Sequence, residues 1–214
     1  MDAVLGAPEE TLSRREREKA AHRREILQAA MRVFARKGFA AATIDEIAQE
    51  AEFSKGTVYL HFASKEDLLS TILLEMHNTA VTGLRQALAG TRSLREELTE
   101  VFRNAAEFAF SHLLHASAAM PMHLSQVSGL SEETRARHCE CHEEVRTVLY
   151  NRVVAAQEQG EIRPISAEAI AGLLEGTLNS MVMTRWDRET VEELQVASGQ
   201  VLEIIFEGIA ERRG

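Results

Sequence analysis

The chain has 214 residues, of which 24 are Lys or Arg, 33 are Asp or Glu, and 45% are hydrophobic. This length fits one or two domains, and the ordinary apolar and charged fractions exclude a wholly disordered, collagen-like or disulfide-scaffold protein. The net charge of -9 argues against a nucleic-acid partner only until it is divided along the chain, because residues 13–37 hold nine basic and three acidic residues. We therefore expect an N-terminal part that can approach phosphate, joined to an acidic remainder.

The sequence predicts a cytoplasmic protein with no membrane association. It has no run of about 20 apolar residues, which a membrane span requires, and no apolar segment that follows the basic N-terminal residues as in a secretory signal. Its two cysteines, Cys139 and Cys141, lie two positions apart in a segment predicted to be helical, where their side chains point in different directions. A reducing compartment suits such a pair.

The expected fold class is all-α. Aromatic residues make up only 5% of the chain, and no segment sustains the alternation of a β-strand. Residues 1–16 are predicted to be a flexible tail. The first helix is predicted to run from Arg17 to Lys37, where Gly38 ends it. Its inward stripe recurs at helical spacing and consists of Ile26, Leu27, Ala30, Val33 and Phe34.

Three capping signals follow closely along the chain. Thr43, with Glu46 three residues later, predicts a short helix that ends near Ala51. After the connection Glu52-Phe53-Ser54, Ser54 is predicted to cap a third helix, residues 55–62, whose buried side chains would be Val58 and Phe62. A helix with so few anchors is expected to display its other face. Ser64 with Asp67 predicts a long fourth helix whose inward residues are Leu68, Leu69, Ile72 and Leu73.

Beyond residue 75 the capping signals predict about five more helices. They include a long helix over residues 131–158, a helix from about Ser166 to Trp186, and a last helix capped by Asp187 or Thr190. Residues 160–164, which contain a glycine and a proline, separate the long helix from this last pair.

Residues 43–62 have the construction of a DNA-binding helix-turn-helix. The major groove, about 12 Å wide, admits one helix, and small or polar residues at its N-terminal end let the backbone approach the base edges. Lys55, Gly56 and Thr57 suit that task. Tyr59 and His61 are long enough to reach the flanking phosphates.

The motif Thr43-Ile-Asp-Glu-Ile-Ala, the segment Phe53-Ser-Lys-Gly-Thr-Val-Tyr-Leu-His-Phe, and Ser64-Lys-Glu-Asp-Leu-Leu resemble the N-terminal domain of the tetracycline-repressor (TetR) family of bacterial transcriptional regulators. The resemblance covers residues 22–74. It implies an N-terminal three-helix DNA-binding domain, residues 17–66, and a larger helical domain for effector binding and dimerisation, residues 67–214.

The resemblance also assigns DNA-binding roles. Thr43, Tyr59, His61 and Lys65 would hold the DNA backbone, Lys55, Gly56 and Thr57 would face the bases, and Ser54 would lie beside them at the start of the third helix. Two positions depart from the family pattern. Asp45 stands where members often place a basic or polar residue, and Glu52 stands where the family usually has a glycine suited to a left-handed turn.

The resemblance implies a homodimer formed by the last two helices. The residues predicted for this interface are Leu173, Gly176, Leu178, Ser180, Met181, Leu194, Val201, Leu202 and Ile205. Small residues spaced by four would let a neighbouring helix approach closely. From the residues alone, the core of a monomer is the alternative.

An effector pocket is expected among residues 75–160. The candidate lining residues are Phe102, Phe108, His112, His115, Met120, Met122 and Tyr150. Such an apolar pocket with a few polar groups suits drug-like, lipid-like or aromatic molecules equally.

One cluster supports a different interpretation. His138, Cys141 and His142 have the spacings that share a helix face, as metal ligands might. A zinc- or copper-responsive regulator of the same fold is therefore an alternative. A further alternative is a helical enzyme that uses Cys139 or Cys141 as nucleophile, but the sequence has no nucleophile elbow, phosphate loop or dinucleotide fingerprint, so we expect no enzymatic activity and no cofactor.

The sequence thus predicts a dimeric transcriptional regulator. As a repressor, it would bind a palindromic operator in double-stranded DNA and leave it when a small-molecule effector changes the spacing of the two recognition helices. The identity of that effector is not readable from the sequence.

Overall fold

A computed structural model describes residues 13–113, 132–183 and 190–209, which form eight α-helices. In chain order these are α1 (Arg14–Lys37), α2 (Ile44–Glu50), α3 (Lys55–His61), α4 (Lys65–Ala87), α5 (Leu94–Leu113), α6 (Glu132–Glu158), α7 (Ala167–Met183) and α8 (Val191–Ile209). The all-α fold class is confirmed. None of these helices is both long enough and apolar enough to cross a membrane.

The described residues divide into two compact units. The N-terminal unit holds residues 13–79, 113 and 132–138, and the C-terminal unit holds residues 80–112, 139–183 and 190–209. The division between the units falls inside α4, after Thr79. The domain boundary predicted from the sequence, after residue 66, lies near the start of the same helix.

The core of the N-terminal unit consists of the predicted apolar stripes. The stripe of α1 is buried throughout, and so are Ile47 of α2 and Val58 of α3. Phe62, the C-cap residue that follows α3, is 2% exposed, and the four predicted inward residues of α4 are also buried. Helical spacing of apolar residues was therefore sufficient to predict the buried faces of α1 and of the start of α4.

The first helix begins three residues before its predicted start. Ser13 and Glu16 form a reciprocal capping box, in which the amide of Glu16 donates to Ser13 Oγ at 3.3 Å and the amide of Ser13 donates to Glu16 Oε2 at 2.8 Å. The predicted start at Arg17 was wrong because this Ser-x-x-Glu signal was not used. Residues 13–16 are therefore part of α1 and its cap, whereas they were assigned to the flexible tail.

The C-terminal unit packs apolar faces of four helices. Its most deeply buried side chains include Leu94, Leu98 and Phe102 of α5, Leu149 and Val153 of α6, and Ala171 and Leu174 of α7. Ser166 caps α7, since its hydroxyl accepts from the amide of Ala169 at 3.2 Å. Thr190 caps α8, accepting from the amide of Glu193 at 3.2 Å, while the alternative cap, Asp187, lies outside the described residues.

Buried charges join three parts of the C-terminal unit. Glu97 of α5 is fully buried, and Arg152 of α6 donates to it from Nε at 2.6 Å. Glu97 also accepts from the amides of Thr91 and Arg92, at 3.0 and 3.4 Å. Arg152 Nη2 reaches Glu161, beyond the end of α6, at 3.2 Å. This buried network fixes the connection between α4 and α5 against α6.

Candidate nucleic-acid interface

The first part of the candidate interface is α2 with its cap. The amide of Glu46 donates to Thr43 Oγ1 at 3.3 Å, and the amide of Thr43 donates to the Glu46 carboxylate at 3.0 Å. The predicted capping box is therefore confirmed. Because the hydroxyl of Thr43 also donates to Glu46, at 2.9 Å, a phosphate at this helix end would have to share this hydroxyl with the cap.

The turn between α2 and α3 depends on Glu52. Its φ of 59° makes it the one non-glycine residue with positive φ among residues 13–113, 132–183 and 190–209. This left-handed conformation costs a side-chain-bearing residue about 1 kcal/mol and explains the family's usual glycine there. The amide of the next residue, Phe53, donates to the carbonyl of Ala48 at 2.9 Å. Glu52 thus preserves the turn at the cost of local strain.

The third helix is anchored on one side and displayed on the other. Ser54 caps it, accepting from the amide of Thr57 at 3.0 Å, and its hydroxyl lies 2.8 Å from Thr57 Oγ1. Val58 is fully buried and Phe62 nearly so, as predicted. The exposed residues of the helix are Lys55, Gly56, Tyr59 and Leu60.

Gly56 leaves the exposed face of α3 open. A Cβ built on it would meet only Ser54 Oγ, at 3.6 Å, which is an ordinary van der Waals distance. The fold therefore does not require a glycine at this position. Its effect is to remove side-chain bulk from the surface that a base edge would approach.

Leu60 is a candidate residue of the exposed face of α3 that was not among the DNA-binding residues predicted from the sequence. It is 80% exposed, the most exposed of the large hydrophobic residues in the part of the chain described. It follows Gly56 by four residues and Thr57 by three, so the three residues share one face of α3. An apolar residue on the displayed side of a short, otherwise polar helix was the signal available in the sequence.

Lys55 is paired with Asp45. Its ammonium donates to Asp45 Oδ2 at 2.7 Å, which links α3 to α2 across the exposed surface. The hydrogen bond that Lys55 donates to Asp45 raises the pKa of Lys55 above its ordinary value. To contact a base, Lys55 would therefore have to exchange its hydrogen bond to this carboxylate for one to an acceptor on DNA. Asp45 thus affects the site by pairing with Lys55.

Lys65 holds the connection between α1 and α2. Its ammonium donates to the carbonyls of Phe39, Ala40 and Ala42 at 2.8, 3.2 and 3.0 Å, and it lies 4.6 Å from the centre of the Phe39 ring. A phosphate contact by Lys65 remains a prediction. The structure adds a second role, in which the side chain satisfies three carbonyls that precede α2.

Replacing Lys65 with Met should destabilise the N-terminal unit by about 2 kcal/mol, because charge-assisted hydrogen bonds to carbonyls are lost together. Urea unfolding followed by circular dichroism measures this change. Lys55→Met is the matched control, since it removes an exposed ion pair and should leave the midpoint nearly unchanged. Equal midpoints for the two variants would contradict the structural role of Lys65.

The basic residues of α1 are not all available to phosphate. Arg32 donates to Glu50 at 2.8 Å and Arg36 does so at 3.2 Å, while Lys37 pairs with Glu46. The hydrogen bond from Arg32 is the largest cause that lowers the pKa of Glu50. The acidic residues of α2 therefore neutralise the positive charge at the C-terminal end of α1. The excess of positive charge on α1 lies nearer its N-terminal end.

The predicted effector-pocket residues are described only in part. Phe102 is buried in the C-terminal unit and Tyr150 is half-buried. Phe108 and His112 belong to α5, but their side chains lie outside the described set. The remaining three, His115, Met120 and Met122, lie outside the described residues altogether. The pocket stays a prediction.

The predicted metal cluster is also described only in part. His142 Nδ1 lies 3.7 Å from a carboxylate oxygen of Glu175 on α7. The side chains of His138 and Cys141 are outside the described set. Within the described residues, no group of three or more His, Cys, Asp or Glu side chains is placed to hold a metal ion. The comparisons with known proteins give no support to the metal or the enzyme alternative.

The residues predicted for the dimer interface separate into two sets. Met181, Leu194, Leu202 and Ile205 are buried within the C-terminal unit itself, which leaves them little surface for a partner. Leu173, Gly176, Ser180 and Val201 are exposed, and Leu178 is intermediate. The structure adds Val196 and Ile204 to the exposed apolar residues of α8, at 63% and 70% exposure.

Comparison with known proteins identifies the N-terminal unit. Residues 26–72 match the family model described as "Bacterial regulatory proteins, tetR family". The helix-turn-helix of this chain is thus similar to that of the TetR-family regulators. Over 95 residues it is 40% identical to the HTH-type transcriptional activator FasR of Mycolicibacterium smegmatis, an alignment that covers 44% of this chain and 42% of FasR. The alignment thus spans less than half the length of that relative.

Two longer matches cover both units of the chain. The fatty acid metabolism regulator protein of Bacillus subtilis is 24% identical over 187 residues, which is 86% of this chain and 94% of the relative. The crystal structure of FadR from Bacillus subtilis in complex with stearoyl-CoA superimposes with a TM-score of 0.67 at 23% identity, covering 86% of this chain and 98% of the other. The common fold is an N-terminal helix-turn-helix followed by a helical domain.

Proposed function

We propose that this protein is a dimeric DNA-binding transcriptional repressor of the TetR family that acts in the cytoplasm on a palindromic operator. The observation that carries the proposal is the exposed face of α3. The buried side chains of Val58 and Phe62 pack the helix against the N-terminal unit, while Gly56 leaves space for a base edge on the opposite side. A short helix anchored in this way can enter the major groove with its N-terminal residues against the base edges.

The exposed apolar residues of α7 and α8 support the dimer. Leu173 is 52% exposed, and Val201 and Ile204 are exposed on the next helix. Gly176 and Ser180 follow Leu173 at positions where small side chains let a second helix approach. Two copies joined through this surface would present two recognition helices, which suits half-sites about 34 Å apart.

The proposed effector is a small molecule that binds the C-terminal unit and lowers the affinity for DNA. It must prefer a conformation in which the two α3 helices no longer fit the half-sites, and its effect on DNA binding is reciprocal. Long-chain acyl-CoA is the first class to assay, because the FadR relative is described in complex with stearoyl-CoA. Release of DNA by the acyl-CoA, with no release by free CoA, would support this class.

Selection from random-sequence duplexes tests the proposal. Purified protein should retain a pool enriched in a palindrome with two half-sites at near-physiological salt. A Tyr59→Ala variant, in which a predicted phosphate contact is removed, should retain less DNA but enrich the same sequence. A retained pool with no enriched sequence would contradict the repressor, and so would an enriched site with one half-site only.

Leu60 leads to a prediction about a single methyl group of the DNA. In the major groove the apolar feature of a base pair is the thymine methyl group, and Leu60 has the exposure needed to contact it. Replacing thymines of the selected half-sites with deoxyuridine should weaken binding about fourfold per half-site, since burying one methyl contributes about 0.8 kcal/mol. The same replacement should have no effect on a Leu60→Ala variant, as measured by fluorescence anisotropy. Equal deoxyuridine penalties in both proteins would contradict the contact.

A further inference from the structure

Four basic side chains from two helices of the N-terminal unit lie close together, and three of them act electrostatically on the fourth, His61. Lys19, His22 and Arg23 lie on α1, and His61 is the last residue of α3. The rings of His22 and His61 are 6.3 Å apart and nearly perpendicular, and His22 also packs against Phe53 at 4.8 Å. We name these four residues the α1–α3 basic cluster.

Two polar atoms of the cluster are buried without a partner. Neither His61 Nδ1 nor Arg23 Nη1 makes a hydrogen bond, although both atoms are removed from solvent. The guanidinium of Arg23 lies 4.7 Å from the centre of the Phe62 ring, next to His61 in the sequence. Buried polar nitrogens usually have partners, so this part of the unit has unused hydrogen-bonding capacity.

The charges that face His61 are all of one sign in the described part of the unit. Burial is the largest cause that lowers the pKa of His61 below its ordinary value, and His22, Lys19 and Arg23 lower it further. The acidic group whose field reaches Arg23 is Glu75 on α4. Burial raises the pKa of Glu75 in spite of Arg23, which weakens its ability to compensate the cluster. In the free protein, burial and the neighbouring basic groups therefore disfavour protonation of the neutral His61 ring.

We propose that the α1–α3 basic cluster binds a backbone phosphate of duplex DNA and takes up a proton when it does so. This inference rests on the proposed function, since α3 is the helix that would enter the groove. A phosphodiester accepts hydrogen bonds and carries the negative charge that the cluster lacks. The proposal adds His22, Arg23 and Lys19 of α1 to the residues that contact DNA, and it makes DNA binding depend on pH.

The direction of the pH dependence follows from the two states of His61. In the free protein its pKa is below the usual range, so the ring is neutral near pH 7. A bound phosphate favours the protonated ring and raises that pKa. Between the two values the complex holds more protons than the free protein, and DNA affinity therefore rises as the pH falls.

The experiment measures the affinity of the full-length protein for a labelled duplex that carries the selected palindrome, from about pH 8 to about pH 6 at constant ionic strength. The affinity should rise about tenfold for each unit by which the phosphate raises the pKa of one histidine. Calorimetry in two buffers of different ionisation enthalpy should show net proton uptake on binding. A flat pH profile together with zero proton uptake would overturn the proposal.

Neutral, similarly sized variants assign the effect to the cluster. His61→Gln should remove the proton uptake, because this ring is the group argued to take up the proton. His77→Gln, the same substitution on α4, is the control and should retain the uptake. Full uptake by His61→Gln with an unchanged circular dichroism spectrum would overturn the proposal. If no duplex bound the wild-type protein at either pH, the proposed function would fail too, whereas pH-independent binding would overturn only this inference.

Discussion

Replacing Arg152 with Met should lower the free energy of unfolding by about 3–5 kcal/mol, because it leaves the fully buried Glu97 carboxylate without its ionic partner. Arg152 also donates to the carbonyl of Arg92 at 3.1 Å and to Glu161. Urea unfolding at fixed protein concentration measures the change. This is the largest stability effect that we expect from a single substitution in the C-terminal unit.

Two further variants separate the buried charge from other causes. Arg85→Met removes a cation of the same unit whose pair with Glu144 is exposed on both sides, and its midpoint should hardly move. Combining Arg152→Met with Glu97→Gln should recover part of the loss, since the unpaired charge is then absent. A wild-type midpoint for Arg152→Met would contradict the assigned role of the buried network.

Replacing Gly56 with Leu should weaken binding to the selected operator on the order of tenfold to a hundredfold without unfolding the protein. The added side chain has space in the free protein, where its Cβ meets only Ser54 Oγ, but it would occupy the surface predicted to approach the bases. Losing one good base contact costs roughly 1–3 kcal/mol. Fluorescence anisotropy measures the affinity, and thermal unfolding measures the stability of the same sample.

Gly83 provides a matched control for this substitution. It lies within α4, and a Cβ built on it meets nothing within 4 Å. Both Gly→Leu variants should keep or raise the unfolding free energy, because glycine costs a helix up to about 1 kcal/mol relative to a better helix former. Only Gly56→Leu should weaken DNA binding. An equal loss of affinity in both variants would indicate a general effect on the helices and contradict the groove-facing placement of Gly56.

Local signals allowed most of the N-terminal unit to be predicted from the sequence. The caps at Thr43 and Ser54 depend on residues within three positions, and the buried stripe of α1 depends on helical spacing alone. The left-handed residue at Glu52 could be predicted by resemblance to the family pattern, which has glycine there. Short-range features of this kind are determined before tertiary packing acts.

Long-range partners could not be predicted in this way. Lys65 donates to carbonyls more than 20 residues away, and Arg152 pairs with Glu97 across 55 residues. No periodicity encodes such distances. The predicted dimer surface shows the same limit, because α8 carries apolar residues on more than one side. The pattern did not reveal that Leu202 packs inside the chain whereas Ile204 faces outward.

Whether α3 reads the operator is tested by a selection from random duplexes carried out in parallel with the wild-type protein, Lys55→Gln and Thr57→Val. If the start of α3 contacts the bases, each variant should enrich a palindrome of unchanged half-site spacing in which the preferred bases change at the same positions of both half-sites. An identical palindrome from all three proteins, with only the affinity reduced, would contradict the central claim that α3 reads the operator.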